Sequence, residues 1–463
     1  MRRYAVACAA TLLVAIIMTP SARAQGFAVY EHDACIMARG AAGVAAPCNQ
    51  ASAVFFNPAA ILGGVTKWNV QGGVTLIAPI GNFTDSATDT RTDLNKKTFL
   101  VPQGYATYQV SPRLAVGIGG FAPYGLTTDW PVTSPGRFLA YKTSIASIYV
   151  QPTIAYRVSP GFQVGLGVDY VHSSAQVHRH VDAASLPAPA PAPAGLTLGS
   201  LGIPSGTDMA DALFDVSGTG WGWHLGMLFK ATDRLSIGLR WLSKVQVNFK
   251  GTASFTQIPT GLTLAAGNPL ALPAGTPLDA VFAPSFAAGQ ALGTQNATTS
   301  IVMPYQIVAG VAYKLMDNLT VLADWQHTEW SEFQSLTLSL AVAPSVTEQE
   351  NFGNTDAWRF GLDWQATSKV AVRLGALRHN GAEPDGSVTP LLPEGNRIEG
   401  TAGLGLQLMP ALRLDLAYQY LQQQDRHGRM VDPPSASVPG SAVDHGLFKF
   451  KANLFGASLA LAF

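Results

Sequence analysis

From Val65 to Phe463 the chain alternates apolar and polar positions one by one over long stretches. Trp358, Phe360, Leu362 and Trp364 alternate with Arg359, Gly361, Asp363 and Gln365, and Leu412, Leu414, Leu416, Tyr418 and Tyr420 with Arg413, Asp415, Ala417 and Gln419. The same holds for Phe162 to Tyr170 and for Leu235 to Trp241. Period 2 predicts strands with one apolar face. Strands of soluble sandwiches average ~5 to 6 residues, whereas these runs approach the ~9 to 11 residues of a tilted membrane strand. Lipid satisfies no backbone polar group, so spanning strands must close on themselves. The pattern predicts an antiparallel barrel with its apolar face toward lipid and its polar face toward a lumen.

Turn lengths point the same way. Tight connections fall at Ser111-Pro112, Ser159-Pro160-Gly161, Thr232-Asp233, Asp317-Asn318, Thr367-Ser368 and Met409-Pro410. Long irregular segments lie between them, near residues 81–96, 127–139, 181–216, 253–297, 342–351, 382–394 and 425–443. Short and long alternate, as in outer-membrane barrels with tight periplasmic turns and long outer loops, and the count gives about fourteen strands. The predicted fold is therefore all-β, a transmembrane antiparallel barrel. Phe463 ends the chain with Leu461, Leu459, Ala457 and Phe455 on its face. Such a strand is what barrels present to their assembly machinery; the alternative is an ordinary edge strand.

Composition sharpens this picture. Only 13% of the 463 residues are charged, about half of the roughly 25% of a soluble domain. Beyond the first twenty residues no apolar run approaches the ~18 to 20 residues of a transmembrane helix, which excludes a helical bundle. Twenty-nine basic and 29 acidic residues cancel, so nothing points to nucleic acid as a partner. Arg2 and Arg3, an apolar stretch from Ala5 to Met18, Pro20 and Ala22-Arg23-Ala24 form a secretory signal peptide over residues 1–24, with the mature chain starting at Gln25. Export places the protein in the outer membrane, in contact with lipid and lipopolysaccharide, as a monomer. Cys8 leaves with the signal. Cys35 and Cys48 remain in an oxidising compartment, either as a disulfide closing a short loop or as two unrelated small buried residues.

Residues 25–64 do not alternate, and a barrel of about fourteen strands has a lumen wide enough to need a plug or pass water. They are predicted to form an N-terminal hatch, with residues 65–463 as the barrel. Within them, Asn57-Pro58-Ala59 is a favoured turn or helix start. Residues 186–204 carry a Pro-Ala run that suits a loop spacer. Residues 256–297 are apolar with almost no charge, consistent with short amphipathic helices offering a landing site for greasy ligands, or with a loop packed on its neighbours. The inward charges Arg240, Asp324, Arg359, Asp363, Arg373, Arg413 and Asp415 are expected to tie hatch to wall, the alternative being a substrate track. His172, His178, Arg179 and His180 cluster at the end of the fifth strand. His178 and His180 share a face, yet two histidines without further ligands make a poor metal site, so no metal is expected. The chain has no G-x-x-x-x-G-K-[ST] phosphate loop and no G-x-S-x-G elbow; neither an enzyme nor a cofactor is implied.

Several segments together resemble the FadL/TodX (OMPP1) family of outer-membrane transporters. They are the export signal, Asn57-Pro58-Ala59, the run Phe121-Ala122-Pro123-Tyr124-Gly125-Leu126-Thr127-Thr128-Asp129-Trp130-Pro131 with Gly136-Arg137-Phe138, Gly220-Trp221-Gly222-Trp223, Val247 to Gly251, Asp324 to Phe333, and Asp356 to Phe360. The resemblance spans essentially the mature chain. It implies a fourteen-stranded barrel plugged by an N-terminal hatch that passes long-chain fatty acids, or alternatively neutral aromatic or aliphatic hydrocarbons, without an energy source. It places a gating motif on Asn57, Pro58 and Ala59. It also implies an inward kink in the third strand that opens a lateral exit, here at Gly119, Gly120, Phe121, Pro123, Tyr124 and Gly125, where Pro and glycines disfavour regular pairing. His178 and Arg179 are the candidates for a carboxylate headgroup contact, against a solvated strand end.

Overall fold

The structure is a computed structural model that describes residues 26–48, 51–63, 66–193, 195–428 and 445–463; residues 1–24, expected from the sequence to be a signal peptide, lie outside the described residues. Among these, fourteen antiparallel strands form a closed wall. They are β1 (Trp68–Asp85), β2 (Phe99–Ser111), β3 (Leu114–Asp129), β4 (Lys142–Ser159), β5 (Phe162–Asp182) and β6 (Asp208–Lys230). Next come four interrupted strands: β7 (Leu235–Leu242 and Val245–Gln257), β8 (Gln295–Met303 and Gln306–Met316), β9 (Leu319–Thr328 and Ser335–Leu340) and β10 (Val346–Gln349 and Thr355–Gln365). The wall ends with β11 (Val370–His379), β12 (Arg397–Met409), β13 (Leu412–Gln423) and β14 (Gly446–Ala462). Pairing of Asn69 with Ala462 through Asp85 with Gly446 joins β14 to β1 and leaves no open edge there.

Alternation does the sorting. Trp358 and Trp364 are each 45% exposed on the outer surface, whereas Arg359 between them is 3% exposed and faces inward. Trp221 and Trp223, at 68% and 53%, belong to the same apolar outer face, which in the membrane meets acyl chains rather than water. The sequence pattern ended the loop after β5 at residue 216, but β6 starts at Asp208, because Ala210 to Ser217 pair with β7 while Asp208 to Ser217 also pair with β5. At 23 residues, β6 measures about 75 Å and stands well beyond a hydrocarbon layer of about 30 Å. Likewise residues 342–351, expected as loop, contain the strand Val346–Gln349.

The apolar outer segments form a cap of their own. Leu264, Leu270, the helix Leu278–Phe282, Leu198 and Met209 bury one another in a small core. Packing of one loop on the next accounts for a charge-poor sequence in a region otherwise facing water.

Candidate functional site

The leading segment lies among inward-facing wall residues and is almost wholly buried. Two short helices, Ala34–Met37 and Ala53–Phe56, are followed by a 3-10 turn, Pro58–Ile61. Asp33 caps the first helix through Cys35 N (2.7 Å) and also accepts from the Ser52 hydroxyl (2.5 Å). Burial raises the Asp33 carboxyl above the usual carboxylate range. The structure joins Cys35 to Cys48, their Cα atoms 6.1 Å apart.

Asn57 caps the 3-10 turn, with Pro58 at its first position. Its Oδ1 accepts from Ala59 N (3.1 Å), while Nδ2 donates to Val44 O (2.7 Å) and to Met227 O on β6 (2.9 Å). One side chain thus closes the turn, ties two parts of the segment together and docks them on the wall. Glycine makes that approach feasible: a Cβ on Gly165 would lie 2.3 Å from the Pro58 carbonyl carbon, and one on Gly226 2.3 Å from Asn57 Oδ1.

The inward charges hold the same contact. Asp324 accepts from Gly43 N (2.8 Å) and Val44 N (3.0 Å). Arg240 donates to Phe55 O (3.2 Å) and lies 4.5 Å over the Phe55 ring, and Arg359 lies 4.1 Å over the Tyr30 ring. Arg39 meets Asp363 at 3.3 Å, and Arg373 bridges Asp363 (3.1 Å) and Asp415 (2.7 Å). Asp324, Arg240, Arg359 and Asp363 meet the leading segment, whereas Arg373, Asp415 and Arg413 pair with one another within the wall.

β3 breaks its pairing in the middle. Its ladder to β2 ends at Gly120 opposite Gly104, and its register against β4 shifts between Phe121 and Tyr124. Above that point Phe99 to Gln103 of β2 pair only with β1. The free edge of β3 is taken by the leading segment instead: Val29 N donates to Pro123 O and Gly125 N to Phe27 O, both at 2.9 Å. Phe27 sits in an aromatic nest with Trp330 (4.6 Å), Phe333 (5.8 Å) and Tyr124 (6.2 Å) between centroids.

A cavity of about 650 Å³ opens along this break. Leu100, Val101, Ala122 and Leu126 line it from the two separated strands, residues 26–31 from the leading segment, and Leu392, Pro393 and Glu394 from the loop after β11. A smaller apolar cavity of about 60 Å³ shares Phe27, Leu126, Ile145 and Leu392 with it and reaches Phe214, Phe333 and Leu336. Charge in the larger cavity is sparse: Glu31, Glu394 and Glu399 on one side of the balance, Arg397 and Lys451 on the other.

The residues singled out from sequence are thereby placed. Asn57, Pro58 and Ala59 dock on β5 and β6. Gly120, Phe121, Tyr124 and Gly125 line the cavity; Gly119 packs on Val54 and Pro123 supplies the carbonyl that Val29 meets. His178 and Arg179, being neighbours on a strand, point to opposite faces, and neither lines the cavity. His178 lies against Tyr141 (Nδ1 to hydroxyl, 3.3 Å). His180 pairs with Asp208 (2.9 Å). Phe27 and Glu394, which line the cavity, and Trp330, which packs on Phe27, were absent from the sequence-based candidates, since they come from three segments far apart in the chain.

Fold and lumen together define an outer-membrane channel for molecules that partition into apolar surfaces. Residues 15–463 match the family described as outer membrane protein transport protein (OMPP1/FadL/TodX). The chain is 24% identical over 467 residues to a long-chain fatty acid transport protein of Salmonella typhi, covering 98% of each. Its fold is similar to a crystallised Pseudomonas aeruginosa FadL homologue, with a TM-score of 0.79 at 22% identity covering 95% of this chain and 100% of that one. It also resembles the P. putida toluene transporter TodX, with a TM-score of 0.66 at 14% identity over 96% and 99%. The chain belongs to the OMPP1/FadL/TodX family: it is an outer-membrane transport protein rather than an enzyme.

Proposed function

We propose that the protein carries long-chain fatty acids passively across the outer membrane, with residues 25–64 as a ligand-gated hatch and the break in β3 as a lateral exit. The observation that carries this reading is the cavity of about 650 Å³ between the separated edges of β2 and β3. Its volume lies within the range of small-molecule sites. Each methylene buried there contributes ~0.8 kcal/mol, so affinity comes from chain length and a single polar contact sets orientation. The ligand adsorbs on the apolar outer loops, enters through the smaller cavity beside Phe27 and settles against residues 26–31. Displacing Phe27 to Val29 from the β3 edge frees backbone groups at Pro123 and Gly125 and widens the gap toward the lipid. The Asn57-Pro58-Ala59 turn anchors the hatch so that this displacement returns to one closed state.

The sparse charge of the lining favours a second reading, carriage of neutral hydrocarbons. Three carboxylates against Arg397 and Lys451 offer an incoming carboxylate little net attraction. Binding of a long-chain fatty acid and of its alcohol analogue to the purified protein separates the two. Tighter binding of the acid, lost in Arg397→Gln, supports fatty acids. Equal affinity supports neutral cargo, and binding of neither overturns both.

A further inference from the structure

We infer that the tight-turn end of the barrel is a binding site for oxyanions, carboxylate or phosphate groups, centred on Arg113 and Arg157. In outer-membrane barrels this end faces the periplasm. Arg157 N donates to Arg113 O and Lys314 N to Arg234 O, both at 2.9 Å. These bonds carry the ladders one step past Leu114 opposite Tyr156 and past Leu235 opposite Tyr313. Arg113 therefore stands directly opposite Arg157, and Arg234 opposite Lys314. All four share the lumen face, because each lies an even number of residues from a buried inward position: Ala115, Ala155, Arg240 and Ala312 in turn. Tyr156 and Tyr313, in the alternate positions, are exposed on the lipid side.

Like charges directly opposite on one face of a sheet are destabilising, and among the described residues little offsets these two pairs. Arg113, Arg157 and Lys314 meet no carboxylate within salt-bridge distance, and Arg234 meets only Asp317, at 4.0 Å with both side chains exposed. Arg157 Nε is buried without a hydrogen-bond partner. Nearby in the lumen the inward cations are matched: Arg39, Arg373 and Arg413 each pair with Asp363 or Asp415. Lys67, Lys230 and Lys369 extend the unmatched set to other strand ends, in step with the buried inward residues Gln71, Leu228 and Ala371. Asp233 and Asp317 are the only acids in the six tight turns.

A ring of cations facing a pore mouth favours anions. The planar fork of arginine engages carboxylate or phosphate oxygens two at a time, which sets the class of ligand. The cations face the axis and the aromatics the lipid, and this favours a group that reaches the mouth from solution over a headgroup beside the wall. A Cβ on Gly63 would lie 3.5 Å from Arg157 Nη2, so the bound anion sits where the leading segment leaves the lumen for β1.

The test uses the full mature protein in nanodiscs of zwitterionic lipid with no hydrophobic ligand, so its outcome is independent of the transport reading. A bimane is attached to Ser159→Cys, an exposed position two residues from Arg157, with the Cys35–Cys48 bridge left closed. Iodide is expected to quench it severalfold more, relative to neutral acrylamide, than in the Arg113→Gln, Arg157→Gln double variant. Inorganic phosphate should relieve iodide quenching at about fivefold lower ionic strength than chloride, the ratio that one exposed ion pair is worth, and lose that advantage in the double variant. Phosphate should also raise the temperature of heat-modifiable unfolding more in the natural protein than in the variant. If the double variant does not fold, Arg113→Gln alone, at an exposed turn, reads the same loss. Relief by phosphate supports an anion from solution; relief on replacing the lipid by phosphatidylglycerol, with phosphate without effect, supports the same site filled by a headgroup. Equal relief by phosphate and chloride means screening alone and overturns the inference, as does a phosphate advantage that survives in the folded variant.

Discussion

Replacing Asn57 by Ala removes three hydrogen bonds, one within its own turn and two that tie this turn to Val44 and to the wall at Met227. Loss of an N-cap costs ~1 kcal/mol, and the carbonyls of Val44 and Met227, which accept at 2.7 and 2.9 Å, each lose a partner in a buried place at roughly 1 kcal/mol or more. Together these weaken docking by about 3 kcal/mol. At 1.4 kcal/mol per decade, the undocked population rises about a hundredfold. The barrel ladder does not depend on this side chain, so assembly is unaffected. Three assays follow the consequence. Limited proteolysis within residues 26–63 accelerates by up to about two orders of magnitude, uptake of a labelled fatty acid falls severalfold because the hatch no longer returns to one closed position, and heat-modifiable migration stays that of the natural protein. Natural rates of both cleavage and uptake in a correctly assembled Asn57→Ala protein would refute the assignment of this turn as the anchor of a gate.

Gly226→Val is expected to reproduce that phenotype by overpacking, at about 1 to 3 kcal/mol, since its Cβ would fall 2.3 Å from Asn57 Oδ1; Gly120→Ala, with nothing within 4 Å of the added carbon, leaves proteolysis unchanged. The mature protein is expected to carry no reactive thiol before reduction, and reduction of the bridge across a separation of 13 residues to loosen the leading segment by about 3 kcal/mol, seen as faster cleavage; a full thiol count without reductant contradicts this. His32 is buried against Phe55 with Nδ1 unpartnered, and burial depresses its pKa from 6.5 to about 3. The unfolded imidazole therefore binds more protons than the docked one, so docking is full above about pH 6.5 and weakens toward pH 3 by up to about 1.4 kcal/mol per unit; His32→Phe should flatten the pH profile of proteolysis between 6.5 and 4.

Strand and wall were readable because the constraint is local. Lipid on one side and lumen on the other force Trp358 outward and Arg359 inward, and a period of 2 records that choice residue by residue. Pro123 between glycines marks the place where β3 leaves its neighbour, since proline gives no ladder donor. What takes up the vacated edge was not readable. Phe27 to Val29 meet Pro123 to Gly125 across nearly a hundred residues, and Glu394 enters the cavity, and Trp330 packs on Phe27, from loops whose composition carries no period. Strand ends also escaped: Asp208 to Val216 look like loop because they stand above the membrane, where no apolar face is imposed. The opposed directions of His178 and Arg179 followed from their adjacency alone, and the cavity's charged lining, Arg397 with Glu394 and Glu399, gathers only once the barrel has closed.

Lateral passage through the break in β3 is tested most directly by photocrosslinking. A long-chain fatty acid with a diazirine near its methyl end is bound to the protein in bilayers, irradiated, and its adducts mapped by mass spectrometry. The account predicts labelling on Leu100, Val101, Ala122 and Leu126, at the separated edges of β2 and β3. Adducts confined to the axis of the lumen, on Arg39, Asn57 and Arg373, would show passage straight through the hatch and contradict it.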